Sequence, residues 1–303
     1  ASMALDALAT DLHGLDESLA ALDAAGQANV LDLLSDYERY DRLKSNPSAQ
    51  GSNDRERTIL SRRSKLGIRT IQPDVVPPAA APDAGHGTAR LSVLYHETEN
   101  GPPIAELQLR PAYHDFRDPS AAFDDKAAIQ LGLIGVARDL EDDRSFVRRF
   151  TLIRIESIEP RGEFFKPISW HTRLDWQRRT ADARHEFTFN VGAGAAFQKE
   201  AGGPVAFIFG ESDIVDAPAF DSRQQLRLGA SAGAHWEPET GARTGIELNA
   251  RRQIDGPYYE LTGELWAGIA LHEQLSLNLS GSVRKSRGID TTLASSVELR
   301  FYF

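Results

Sequence analysis

Eight histidines are the first residues to weigh, because imidazole serves metal binding, proton transfer and nucleophile activation alike. None of them falls in a HExxH or other paired-ligand spacing, so the sequence offers no zinc site. The chain contains no cysteine. That removes a thiolate metal centre, a cysteine nucleophile and a disulfide framework from these residues. The GxSxG pattern at Gly229-Ala230-Ser231-Ala232-Gly233 lies within a strand-like stretch rather than at a strand-to-helix turn, so no nucleophile elbow is present. Gly192-Ala193-Gly194 lies in a strand-like stretch, where glycine relieves crowding rather than cradling phosphate. One short stretch does bring a guanidinium, a phenol, an imidazole and a carboxylate together: Arg110, Tyr113, His114 and Asp115. Such a corner could bind a ligand or move a proton, and its plainer reading is a turn. No catalytic residue, metal or cofactor is assigned.

The elements that would position these residues change character along the chain. Residues 1–70 read as helical. Leu12, Leu15, Leu19 and Leu22 recur at helical spacing behind Asp11, and a break is expected at Ala24-Ala25-Gly26. A second stripe follows with Val30, Leu31, Leu34, Tyr37 and Leu43. After Asn46-Pro47 a third helix is expected from about Asn53 to Leu66, carrying Arg55, Arg57, Arg62, Arg63 and Lys65. That basic run is either a solvated face or a contact for lipid phosphates. Residues 71–88, rich in proline and alanine, read as a linker. The total of 34 Lys+Arg against 44 Asp+Glu gives a net charge of −10, which argues against nucleic-acid partners. The N-terminus lacks the pattern of a secretory signal, and Ala1-Ser2 before the single Met3 suggests a piece of a longer secreted protein.

From residue 89 to 303 the period becomes two. In the last segment Ile289, Thr291, Leu293, Ser295, Val297, Leu299, Phe301 and Phe303 share one face. Asp290, Thr292, Ser296, Glu298, Arg300 and Tyr302 share the other. Twelve such segments can be marked, near 89–98, 103–113, 127–138, 146–158, 167–178, 184–198, 204–211, 224–236, 242–253, 257–270, 272–285 and 289–303. The fourth breaks phase around Phe150 to Ile155, which predicts a bulge. About 18 residues per strand and turn suit a transmembrane barrel.

Parity alone does not say which face points outward. A closed barrel of this size is too wide to fill with the Leu, Val and Ala available. Besides Arg110, the polar face carries Arg173, Asp175, Arg227, Arg243, Glu247, Arg251, Glu260, Glu264, Arg284, Glu298 and Arg300, a mixed set that can neutralise itself in a wet lumen. Trp176, Phe197, Trp236 and Tyr259 lie near strand ends, as interface girdles do. The chain closes on Phe301, Tyr302 and Phe303, resembling the signal read by the bacterial barrel assembly machinery. The expected fold is therefore mainly β: a twelve-stranded antiparallel transmembrane β-barrel in the outer membrane, preceded by a short periplasmic α-helical segment. Outer-membrane phospholipases also have twelve strands and place a Ser two residues after a His. Here His171 is followed by Thr172-Arg173 and His235 by Trp236-Glu237, so that motif is missing.

Several longer stretches carry a further resemblance. They are 82–92, Arg110-Pro111-Ala112-Tyr113-His114-Asp115, Ser157-Ile158-Glu159-Pro160-Arg161, 164–170, and the basic stretch from Arg55 to Gly67. Together they resemble the helical connector and carboxy-terminal barrel of Lnb-type (lipoprotein N-acyltransferase-like) Gram-negative envelope proteins. In that family a periplasmic, cysteine-dependent papain-like domain precedes the connector, and its catalytic residues have no counterpart here. The resemblance implies a barrel module that anchors and positions an upstream periplasmic domain of the same parent protein, with outer-membrane lipids and the assembly machinery as partners. A small channel or translocator is the alternative, and a lipid-active enzyme the third.

Overall fold

The computed structural model describes residues 15–45, 50–68, 85–119, 123, 126–163, 165–200, 202–216, 224–238, 242–287 and 289–303. Leu12, Asp11 and most of the expected linker lie outside these residues. The chain divides into two compact units, residues 1–77 and 78–303.

In the first unit α1 spans Leu15–Ala20, α2 Ala24–Ser45 and α3 Gln50–Lys65. Leu15, Leu19, Leu31, Leu34 and Ile59 are buried together, with Val30 and Leu66 against them. The break between α1 and α2 falls at residues 21–23, upstream of the expected Ala24-Ala25-Gly26. The reason is Asp23, whose Oδ1 accepts the Gly26 amide at 2.7 Å and so starts α2 as its N-cap. The basic run is partly used internally: Arg63 pairs with Asp32 at 2.9 Å and Arg62 with Asp16 at 3.1 Å. Glu56 receives Arg39 at 2.9 Å and Arg42 at 2.6 Å. Those hydrogen bonds, Arg39 first, hold the Glu56 carboxyl below its ordinary range. A depressed carboxylate stabilises the fold above its unfolded pKa and loses that contribution as pH falls through the folded one.

The second unit is the barrel, with strands β1 (Arg90–Thr98), β2 (Gly101–Arg110), β3 (Ala112–His114), β4 (Ala127–Asp139), β5 (Arg144–Ser157), β6 (Ser169–Gln177) and β7 (Glu186–Gln198). Then follow β8 (Val205–Asp216), β9 (Gln224–Trp236), β10 (Ala242–Gln253), β11 (Tyr259–His272), β12 (Leu275–Ser286) and β13 (Ile289–Tyr302). Each strand pairs antiparallel with its neighbours, β13 returns to β1, and β2 pairs with β4 to close the wall. Pro111 lacks an amide hydrogen, so β2 stops before it and β3 resumes the pairing with β4. β2 and β3 thus form one wall strand, and the barrel has twelve. Several boundaries shift by two or three residues from those expected, that broken strand beginning at Gly101. The largest shift is in β8, which continues beyond residue 211 to Asp216 because inward Asp213 and Val215 keep the alternation. The bulge in β5 is present. Its register slips between Arg149 and Val147 against β4 and between Thr151 and Ile153 against β6. Opposite it Gly132 adopts a left-handed φ of 67°, which glycine reaches without strain.

The apolar parity faces outward. Val93, Leu107, Phe189, Ile208, Leu248, Leu265 and Val297 are all exposed on the wall. An isolated solvent-exposed band of this kind would be a liability in water and is the lipid face of a membrane barrel. Phe197 and Trp236 sit near the rim that carries Arg90 and Phe303, called here the terminal rim; Trp176 and Tyr259 sit near the other, the far rim. None of the described helices is long and apolar enough to cross a membrane.

Acidification through and below the ordinary carboxylate range is expected to lower the melting temperature of the helical signal at 222 nm. Glu56→Gln should lower that temperature at neutral pH and flatten its acid dependence; an unchanged profile would remove Glu56 as the cause.

Candidate functional site

Inward parity puts long charged side chains into the lumen, and one segment of the chain joins them there. After β3 the backbone turns inward rather than passing directly to β4. Tyr113 takes a φ of 70°, a costly region for an aromatic residue. Tyr113 is left exposed there, while Asp115 and Asp118 are buried. The turn closes locally through Asp118 N to Asp115 O at 3.0 Å and Asp115 N to Asp118 Oδ2 at 2.9 Å.

Three guanidiniums from adjacent strands converge on these two carboxylates. Arg90 of β1 reaches Asp115 Oδ2 at 2.7 Å and Asp118 Oδ1 at 3.0 Å. Arg110 of β2 meets Asp118 Oδ2 at 2.5 Å. Arg300 of β13 touches Asp118 Oδ1 at 2.8 Å and Asp115 Oδ1 at 3.1 Å. Tyr302 donates to Asp118 Oδ1 at 2.9 Å, and Gln130 of β4 donates to Asp115 Oδ2 at 2.8 Å. Glu298 completes the balance by accepting from Arg300 at 2.8 Å. Arg110 and Asp118 are fully buried, so each charge depends on its partners rather than on water.

The same turn crosses to the opposite wall. Arg243 of β10 donates to the carbonyls of Phe116 at 2.8 Å and Asp118 at 2.9 Å. Arg117 pairs with Glu264 of β11 at 2.7 Å and lies over the Trp266 ring at 5.3 Å. Phe116 stacks on His235 of β9 at 5.2 Å and, with Phe207, packs against Ile158, Ala196, Val205 and Phe209. Gly268 makes room: a Cβ there would lie 3.2 Å from the Arg117 carbonyl. Residues 115–118 therefore touch wall strands around the circumference and form an internal plug toward the terminal rim.

Beyond the plug a cavity of about 300 Å³ remains, with Phe116 and Arg117 in its lining. Its middle holds a second charge cluster. Arg251 bonds Asp213 at 2.9 Å and also contacts Glu211, which accepts from Asn190 at 2.9 Å and contacts His171 at 3.2 Å. Nearer the far rim Arg227 stacks on Tyr258 at 4.2 Å and meets Glu186 at 3.4 Å, while Arg284 contacts Glu260. That rim is partly covered by residues 178–185, where Ala181 is buried against Ile104, Ala137 and Phe146.

The expected lumen residues all lie inside. Arg173 pairs with Asp175 at 2.8 Å, and Glu247 accepts from Asn249 at 3.0 Å. The Arg110–Asp115 corner is not one site. Arg110 and Asp115 anchor the plug, Tyr113 is exposed, and His114 packs on Phe123 at 4.8 Å. Phe301 is outward, Tyr302 inward in the plug network, and Phe303 exchanges backbone hydrogen bonds with Ala89 at 3.0 and 3.2 Å. Sequence reasoning missed Arg90 and Asp118, the two groups that complete the cluster. Asp118 stands in a segment without periodicity, and Arg90 sits at the edge of the alternation, so neither carried a pattern signal.

A family model described as a domain of unknown function, DUF7840, matches residues 79–302. The chain belongs to the DUF7840 family. No curated protein matches it in sequence. Among solved structures the DUF7840 barrel is similar to the NanC porin at 6% identity, covering 70% of this chain and 100% of that one with a TM-score of 0.44. It is similar to the KdgM porin at 8% identity, 71% and 99% coverage and a TM-score of 0.42. It is similar to an outer membrane channel from Pseudomonas putida F1 at 10% identity, 78% and 100% coverage and a TM-score of 0.42.

Asp118→Asn removes the charge that three buried guanidiniums share and is expected to cost about 3–5 kcal/mol. A urea titration read by the gel mobility of folded against unfolded barrel checks this. Leu248→Ala on the lipid face serves as a control that should shift the midpoint far less.

Proposed function

We propose that this DUF7840 barrel is a closed membrane scaffold rather than an open pore. The observation that carries the reading is the plug at residues 115–118, held by buried ion pairs on one side of the lumen and by Arg243, Arg117 and Phe116 on the other. A segment braced to opposed walls stiffens the barrel and occupies the cross-section that solutes would need. The scaffold would hold the helical unit on the periplasmic side, where both ends of an even-stranded outer-membrane barrel lie. In keeping with the Lnb-type resemblance, it would position a periplasmic cysteine-dependent acyltransferase or hydrolase-like domain of the parent protein. The chemistry would then belong to that domain, and this chain would supply placement at the lipid surface. Tyr113, Phe165, Ile168 and Trp170 support such placement, since they expose apolar surface near the terminal rim.

A gated channel is the second reading, favoured by the polar cavity between the plug and the far rim. The two differ in conductance. In planar bilayers the native chain is expected to give no steady current, whereas replacing residues 115–118 by Gly-Ser-Gly-Ser should give discrete open steps. A steady current from the native chain would overturn the scaffold reading in favour of the channel.

A further inference from the structure

Charges in most of the lumen are matched group by group. Arg251 has Glu211 and Asp213, Arg154 has Glu156 at 2.8 Å, Arg284 has Glu260, and Arg117 has Glu264. The sector formed by β2, β4, β5 and the start of the β6–β7 connection departs from this balance. There the β5 bulge turns two successive residues, Arg148 and Arg149, toward one buried carboxylate, Glu106, at 3.3 and 3.8 Å. Glu106 is shared further: His96 contacts it at 2.8 Å and Gln108 donates to it at 2.9 Å. Gly135 opens the space, because a Cβ there would overlap the Glu106 carboxylate and lie 3.0 Å from Arg149 Cγ.

Arg148 Nη1 is buried and has no hydrogen-bond partner. Arg179 stands close enough to act electrostatically on the Arg148 guanidinium. It lines the cavity together with Gln177, which pairs in register with Arg149. No carboxylate lies within ion-pair distance of Arg179 among the described residues. The neighbouring cations are already engaged: Arg173 on Asp175, Arg144 on Asp142 and Asp182, and Arg178 on the carbonyls of Ala181 and Ala183. Arg148 and Arg149 thus share the single carboxylate of Glu106, and Arg179 beside them lines the polar cavity.

We propose that Arg148, Arg149 and Arg179 form an oxyanion subsite in the lumen toward the far rim, which takes the phosphate group of a small solute or of a lipid headgroup. A cluster of guanidiniums around one shared carboxylate suits a phosphate monoester, which carries about −1.5 to −2 at neutral pH. Forked guanidinium donors suit its oxygens better than a lysine would. The cavity of about 300 Å³ is at the small end of ligand pockets, so the recognised group is compact. The subsite does not depend on the plug or on the scaffold reading, because none of its residues touches positions 115–118.

The test is calorimetric titration of the folded full chain in detergent micelles and phosphate-free buffer. Inorganic phosphate is one ligand, a short-chain phosphatidic acid the other, and sodium chloride at equal ionic strength the control. Saturable binding of inorganic phosphate is expected, weakened by roughly tenfold or more in Arg148→Gln and in Arg179→Gln, since a hydrogen bond to a charged group contributes about 1.5–3 kcal/mol. Saturation by phosphatidic acid alone, with the same loss in the variants, supports the subsite and makes a lipid headgroup the source. Absence of saturation by either ligand, or binding that both variants leave unchanged, overturns the proposal. Arg179 is exposed and its replacement leaves the barrel packing intact, so the test stands even if Arg148→Gln does not fold.

Discussion

The buried ion cluster around Asp115 and Asp118 is the constraint on which the barrel interior depends. A twelve-stranded wall encloses more space than its apolar side chains could fill, and those side chains are needed outside against lipid. The interior is instead occupied by long polar side chains and by a piece of backbone. Backbone inside a lumen must have its charges and carbonyls satisfied, because an unpaired buried ion costs several kcal/mol. Arg90, Arg110 and Arg300 meet that need from three hydrogen-bonded neighbours in the wall, and Arg243 meets it from across the barrel. The plug is therefore a consequence of strand order: only closure of β13 onto β1 and of β2 onto β4 brings these donors around one turn.

The strained Tyr113 shows how local geometry serves that cluster. Continuing β3 in regular extended form would send the next residues along the wall. A left-handed φ at an aromatic residue redirects the chain into the lumen, and the ion pairs offset its cost. The β5 bulge acts in a similar way on side chains. By adding a residue to one strand it sends two arginines inward in succession, which regular alternation forbids. Both irregularities sit beside the chemically distinctive parts of the lumen.

Much of the architecture was legible in the sequence. The parity of β13, β12 and β7 identified strands and assigned their two faces, and the phase break near Phe150 marked the bulge. The polar set from Arg173 to Arg300 carries the opposite parity to the apolar face. Boundaries were less secure where a strand ran on without apolar residues, as β8 does through Glu211 and Asp213. The first helix break was misplaced because the capping function of Asp23 depends on a backbone contact, not on composition.

What the sequence by itself determined was periodicity: which residues lie on one side of a strand, and that a barrel of this length must face lipid with its apolar side. That information is local, since parity repeats every two residues. Tertiary structure alone decided the pairing of charges. Asp118 and Arg300 are separated by 182 positions yet lie 2.8 Å apart. Arg148 and Arg149 share one carboxylate only because the wall curves β2 onto β4. Burial lowers the dielectric around such groups, so their meaning is set by the neighbours that closure supplies rather than by their residue types.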